Sequence, residues 1–151
     1  MAVKPAQVHT VIPTSKHGRP AVKAFPCHTL DYFVPPMCVR NVRYFKKPES
    51  SAFETVVDAL KAGLAEALEL YPVAGATIIA TEKGELAIDA EHPSIQFHVE
   101  SKDHTFEKEN GDELAPLPLF ITPPPAPVFA TKLTEVSFAI TYLATNRCSF
   151  A

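Results

Sequence analysis

The clearest periodicity in the sequence lies near its centre. Phe53, Val56, Val57, Leu60, Leu64, Ala67 and Leu68 recur at helical spacing and form one apolar stripe. Ser51-Ala52-Phe53-Glu54 ahead of them is a capping-box pattern, in which a serine and a glutamate satisfy each other's orphan backbone donors. The pattern predicts a helix over residues 52–70. Asp58, Lys61, Glu66 and Glu69 fall mostly away from the stripe, and Pro72 stops the helix.

Elsewhere the period is that of strands. Residues 8–12 alternate, with Val8, Thr10 and Ile12 on one side. Residues 37–45 put Met37, Val39, Asn41, Arg43 and Phe45 on one face and Cys38, Arg40, Val42 and Tyr44 on the other. Apolar groups stand on both faces, which suits packing on both sides. Residues 77–80 and 86–88 read as the arms of a hairpin, joined by a turn in which Gly84 is free to take positive φ. In residues 95–99, Ile95, Phe97 and Val99 share a face. Residues 128–133 and 136–143 predict two more strands. Residues 13–26 read as a loop, 29–33 as a short ordered segment, and 101–114 as a charged loop with a helical turn. These elements predict an α+β chain: a mixed sheet with one long helix against it, in two layers.

Composition narrows this picture. With 151 residues, the chain can build one domain with a real core. Its formal charge of -3 offers no basic field for nucleic acid. No apolar run approaches a membrane span or a signal peptide. Cys27, Cys38 and Cys148 are too scattered for a zinc site or a disulfide framework, so reduced thiols in a cytoplasmic protein are expected. The 15 prolines crowd into stretches that long helices cannot cross.

No specific catalytic constellation stands out. His9, His17, His28, His92, His98 and His104 lack a second metal-ligand type at i, i+4 on a helix. No glycine-rich phosphate loop and no GxSxG elbow occurs. Glu107, Glu109, Asp112 and Glu113 are acids in a polar stretch, where a solvated face is the default reading.

Several segments, taken in order, resemble one family. Cys27-His28-Thr29-Leu30-Asp31 is similar to the LSxLD segment near the start of BAHD acyl-CoA-dependent acyltransferases, with Leu30 and Asp31 matching outright. Tyr32-Phe33-Val34-Pro35-Pro36 and a strand ending Arg43-Tyr44-Phe45 follow. The Leu60, Leu64, Leu68 helix then ends in Tyr71-Pro72-Val73-Ala74-Gly75, the most specific match. Gly84-Glu85-Leu86-Ala87-Ile88-Asp89 resembles the family's hairpin. The run from Pro127 to Glu135 resembles its PLFxxQVTxF strand. The likeness covers residues 5–151 and about the first third of a full-length member.

The resemblance implies a partial chloramphenicol-acetyltransferase-like fold, a single and incomplete N-terminal domain over residues 1–151. It implies transfer of an acyl group from acyl-CoA, a co-substrate and not a bound cofactor, to a hydroxyl or amine of a small acceptor. In the family a histidine of an HxxxD motif is the general base, its aspartate is structural, and a downstream DFGWG supports the second domain. Neither motif occurs here. Laid on the family's N-H-C-x-x-D pattern, Asn146–Ala151 puts Arg147 at the histidine and Ala151 at the aspartate. A guanidinium stays protonated and cannot act as base. Asn146–Ala151 is either a decayed motif or unrelated sequence at a premature end.

No catalytic residue and no metal ligand is therefore assigned, and the chain by itself is expected to be inactive. Residues 136–143, an inner strand in the family, would then present a bare apolar edge. Such an edge favours self-association or pairing with a full-length relative. Two alternatives follow: a non-catalytic interaction half-domain, and a small-ligand module using the groove between helix and sheet.

Overall fold

A computed structural model describes residues 4–14, 24–28, 38–46, 52–105, 123–137 and 139–147. Its elements run β1 (Lys4–Val11), β2 (Phe25–Pro26), β3 (Cys38–Lys46), α1 (Phe53–Leu70), a 3-10 turn (Pro72–Gly75), β4 (Thr77–Ala80), β5 (Leu86–Asp89), β6 (Ile95–Thr105), β7 (Ala126–Pro127), β8 (Phe129–Ser137) and β9 (Ala139–Arg147). They form a five-stranded sheet in the order β1-β6-β8-β9-β3 and a four-stranded sheet in the order β2-β5-β4-β7. β6 and β8 pair in parallel and the other pairs are antiparallel. Among the described residues the fold is α+β with one α-helix, as the periodicities predict, but the strands divide into one mixed and one antiparallel sheet where a single mixed sheet was expected.

The helix lies on the large sheet by its apolar stripe. Phe53, Val57 and Leu68 are buried with Val11, Ile95, Phe97, Val99 and Leu133. Val56, Leu60 and Leu64 pack at the margin of this core. Burying each such side chain contributes about 1.5–3 kcal/mol. Two details differ from the sequence reading. The helix starts one residue later, with Ala52 as N-cap and no side-chain cap; Ala52 O receives the Thr55 and Val56 amides instead. Ser51 lies outside the described residues. Glu69, expected on the polar side, is 6% exposed and accepts a hydrogen bond from Thr14 Oγ1. A polar partner brought from β1's end makes this burial tolerable.

The side of β1 that carries Val8, Thr10 and Ile12 faces outward. Val8 and Ile12 are 57% and 63% exposed, while Val11 enters the core. β1 is an edge strand, so its outer residues can stay in water, and register with β6 decides which set turns inward. His9 opposite Phe97 and Val11 opposite Ile95 put the less apolar set on the helix side. The prolines punctuate the edges: Pro5 sits where the β1–β6 register shifts, and Pro26 and Pro127 lie on the outermost strands of the small sheet.

The hairpin forms as expected. Gly84 has φ 78°, and the Thr81 amide and the Glu85 carbonyl close the turn at 2.7 Å. Tyr71–Gly75 is a joint between helix and small sheet. Gly75 O accepts from Ser94 N at 2.8 Å. A Cβ on Gly75 would meet Leu68 Cδ2 and Ser94 N, each at 2.7 Å, so only glycine allows this approach.

Other strands outrun the sequence reading. β6 continues to Thr105, into residues expected to be a loop, because β8 pairs with it past Ser101. The part of that loop from residue 106 lies outside the described residues, as does the segment 29–33. Phe25–Pro26, inside the predicted loop 13–26, pairs with β5. Val136 belongs to β8, not to the last strand. The expected bare edge is absent: β9 lies between β8 and β3, with continuous pairing on both sides. β3 returns from earlier in the chain to cover it.

Candidate functional site

The position that the family pattern assigns to catalysis is the far end of β9. Arg147 is the last residue of that strand and pairs with Cys38 of β3. Asn146 stands between Val39 and Phe129, on the two neighbouring strands. Ala151 lies outside the described residues. The strand end is thus anchored on both sides by sheet, but it carries no residue type able to accept a proton at neutral pH: arginine and asparagine both lack that capacity.

Ionisable side chains converge elsewhere, on the sheet face away from α1. Alternation along β6 sends Ile95, Phe97 and Val99 to the helix and His98, Glu100 and Lys102 to the opposite face. β8 sets Lys132 beside His98 and Thr134 beside Glu100. Glu100 Oε1 is the hub. Lys132 Nζ lies 2.8 Å from it, Lys102 Nζ 3.5 Å, and Thr134 Oγ1 donates to it at 3.1 Å. The Lys132 and Glu100 side chains are only 11% and 13% exposed. Burial works against the Glu100 charge, but the hydrogen bond and charge of Lys132, with Lys102 and Thr134, hold its carboxyl below the ordinary 4.5. Burial, then the Lys132 charge, pushes His98 below 6.5, against a smaller opposing pull from Glu100. Among the described residues, His98 Nε2 is buried with no hydrogen-bond partner.

A cleft of about 260 Å³ opens on the other side, between the first half of α1, β1 and β6. Phe53, Val57 and Val99 give it an apolar base; Gln7, His9 and Ser101 line it further; Glu54, Asp58 and Lys61 come from the helix. The His9 ring lies 6.4 Å from that of Phe97, tilted. Ser101 Oγ is already committed to Glu135 Oε2 at 3.1 Å, and Lys61 lies 3.7 Å from Asp58. Among the described residues no group of three or more His, Cys, Asp or Glu side chains could hold a metal ion.

Sequence reading missed the far-face network for a definite reason. It ended the strand at Val99, so the alternating polar set 98-100-102 was split between a strand and a loop. The signal that could have found it is the continued alternation through Lys102. Its partners on β8 are brought in only by parallel pairing.

By sequence the chain matches no protein-family model and no curated protein. By fold it resembles solved acyltransferase structures. It superposes on vinorine synthase with a TM-score of 0.75 at 14% identity, over 97% of this chain and 38% of that one. TRI101 of F. sporotrichioides, complexed with coenzyme A and T-2, matches with a TM-score of 0.63 at 15% identity, over 84% of this chain and 34% of its own. Apo TRI101 of F. graminearum gives 0.61 at 19% identity, with 83% and 35% covered. The chain therefore spans 38% or less of each of these neighbours. At these identities the likeness establishes the fold.

Proposed function

We propose that this chain is the N-terminal portion of a BAHD-type acyltransferase, and that it is not catalytic by itself. The observation that carries the reading is the near-complete superposition of this chain on little more than a third of vinorine synthase. The ordered motifs from Leu30-Asp31 to Thr134 agree with it. Residues 1–151 are then one incomplete domain, corresponding to part of a chloramphenicol-acetyltransferase-like unit. The whole protein would move an acyl group from acyl-CoA to a hydroxyl or amine of a small acceptor in the cytoplasm. F. graminearum TRI101 has been crystallised with coenzyme A together with T-2 mycotoxin or deoxynivalenol, which supports acyl-CoA and a small acceptor as substrates.

The missing activity follows from proton chemistry. The acceptor must lose its proton as it attacks the thioester carbonyl, and a base near neutral pKa does this best. The strand end holding Arg147 supplies none. An acyl-CoA transfer assay on the 151-residue chain, with Arg147→His/Ala151→Asp beside it, tests the reading. No turnover is expected from the unmodified chain. Turnover above the uncatalysed rate would overturn it.

One observation favours a second reading, an interaction half-domain that pairs with itself or with a full-length relative. β3 is an outermost strand of the large sheet among the described residues, and its Tyr44 and Phe45 are each 54% exposed. Long edges with exposed aromatics invite pairing. Sedimentation of the chain against a Tyr44→Lys/Phe45→Lys variant tests this. A wild-type dimer that the variant abolishes supports it; a wild-type monomer at all concentrations sinks it.

A further inference from the structure

The acyltransferase reading gives the far-face network no role, and within it His98 stands apart as the group without a hydrogen-bond partner among the described residues. His98 lies at the middle of β6, an interior strand, and its neighbours across the sheet are Val8 on β1 and Lys132 on β8. Val8 offers no charge. Along its own strand the same-face neighbours are Gln96 and Glu100. Thus, among the described residues, the charged groups facing the imidazole are Lys132 and Glu100.

We infer that His98 is an acid-sensitive latch, whose protonation beside Lys132 loosens the parallel β6–β8 junction at the centre of the large sheet.

Three observations support the latch. First, a protonated imidazole must donate from both nitrogens, yet Nε2 is buried and has no acceptor. The neutral ring tolerates one undonated nitrogen; the cation does not, since a buried unpaired donor keeps its full desolvation cost. Second, the ring's register partner is Lys132, so protonation sets two cations side by side in a poorly hydrated place. Third, the one carboxylate that could compensate is already engaged. Glu100 Oε1 takes Lys132, Lys102 and Thr134. The downward displacement of His98 titration has the same causes, burial first and Lys132 second.

The sign follows directly. The folded chain favours neutral His98, so this contribution is fully present above 6.5, the ordinary histidine value, and is lost as pH falls through the lower folded value. Glu100 acts in the same direction but in a separate window. Its stabilisation is present above 4.5 and disappears only further into acid. A loss of stability that sets in between 6.5 and 4.5 therefore belongs to histidine, because the Glu100 contribution is still intact there.

The test is the thermal midpoint of the 151-residue chain as a function of pH, with His98→Gln and His92→Gln as variants. His92 is exposed and serves as the comparison. The wild-type midpoint should fall by a few degrees between about pH 7 and pH 5. His92→Gln should follow it, and His98→Gln should be flat over that range. An equal fall in His98→Gln, or no fall in wild type, would overturn the latch. Should His98→Gln not fold, assigned NMR titration of the unmodified chain decides: His98 is expected to titrate below 6.5, and titration at or above it refutes the proposal.

Discussion

The two faces of the five-stranded sheet are built from the same strands by opposite means. Toward α1, Val11, Ile95, Phe97, Val99 and Leu133 meet Phe53, Val57 and Leu68, and dispersion and water exclusion hold them. On the far side, Lys102, Lys132 and Thr134 are held by directed contacts to one carboxylate oxygen of Glu100. The first face tolerates conservative exchange, because apolar contacts are non-directional. The second does not, because each member leaves a partner unsatisfied when it goes. A single strand, β6, carries both regimes on alternate residues.

The comparison breaks most severely at Phe97. It is fully buried, and Phe97→Ala should destabilise the chain by about 3–5 kcal/mol, read from the denaturant midpoint. That is a large share of the roughly 5–15 kcal/mol by which an ordinary domain is stable. On the far face, Lys132→Met should cost about 2–3 kcal/mol, since it takes the nearest cation from a mostly buried carboxylate and leaves it only Lys102 and Thr134. Lys132→Met/Glu100→Gln should recover part of this loss. A double variant no better than the sum of the singles would show that the pair is not coupled. The smallest effect is at the joint beside the helix. Gly75→Ala should cost about 1–3 kcal/mol, because the new methyl meets the Ser94 backbone, which cannot rotate aside. An unchanged melt would mean that Tyr71–Gly75 is not held by this close approach.

Much of the helix-side face was legible in the sequence. The Phe53 to Leu68 stripe and the Ile95, Phe97, Val99 alternation name their partners by period alone. The Gly84 turn was equally plain, since its chemistry is local. Failures came where the outcome depended on a distant segment. Alternation placed Val8 and Ile12 on one side of the strand without saying which way it turns; pairing with β6 chose His9 and Val11 for the interior and left that side exposed. Glu69 looks like surface and is buried, because Thr14 arrives to meet it. The apolar run 136–143 suggested an exposed edge, yet β3 covers β9 along its length.

The candidate site divides in the same way. That Arg147 keeps its proton at neutral pH could be read directly, because the chemistry of a guanidinium needs no fold to interpret it. The Glu100 hub could not be read, because Thr134 and Glu100 are 34 residues apart and meet only through the β6–β8 register.

By itself, then, the sequence determined most of the element types, the apolar stripe of the helix and the turn glycine. These follow from local propensity, period and side-chain chemistry, which each residue carries with it. Only the tertiary structure decided which side of β1 faces inward, that β9 is an interior strand, and that His98 lies beside a saturated ion pair. Those outcomes depend on strand order and register, which are fixed by the free energy of the assembled sheet and not by any one of its segments.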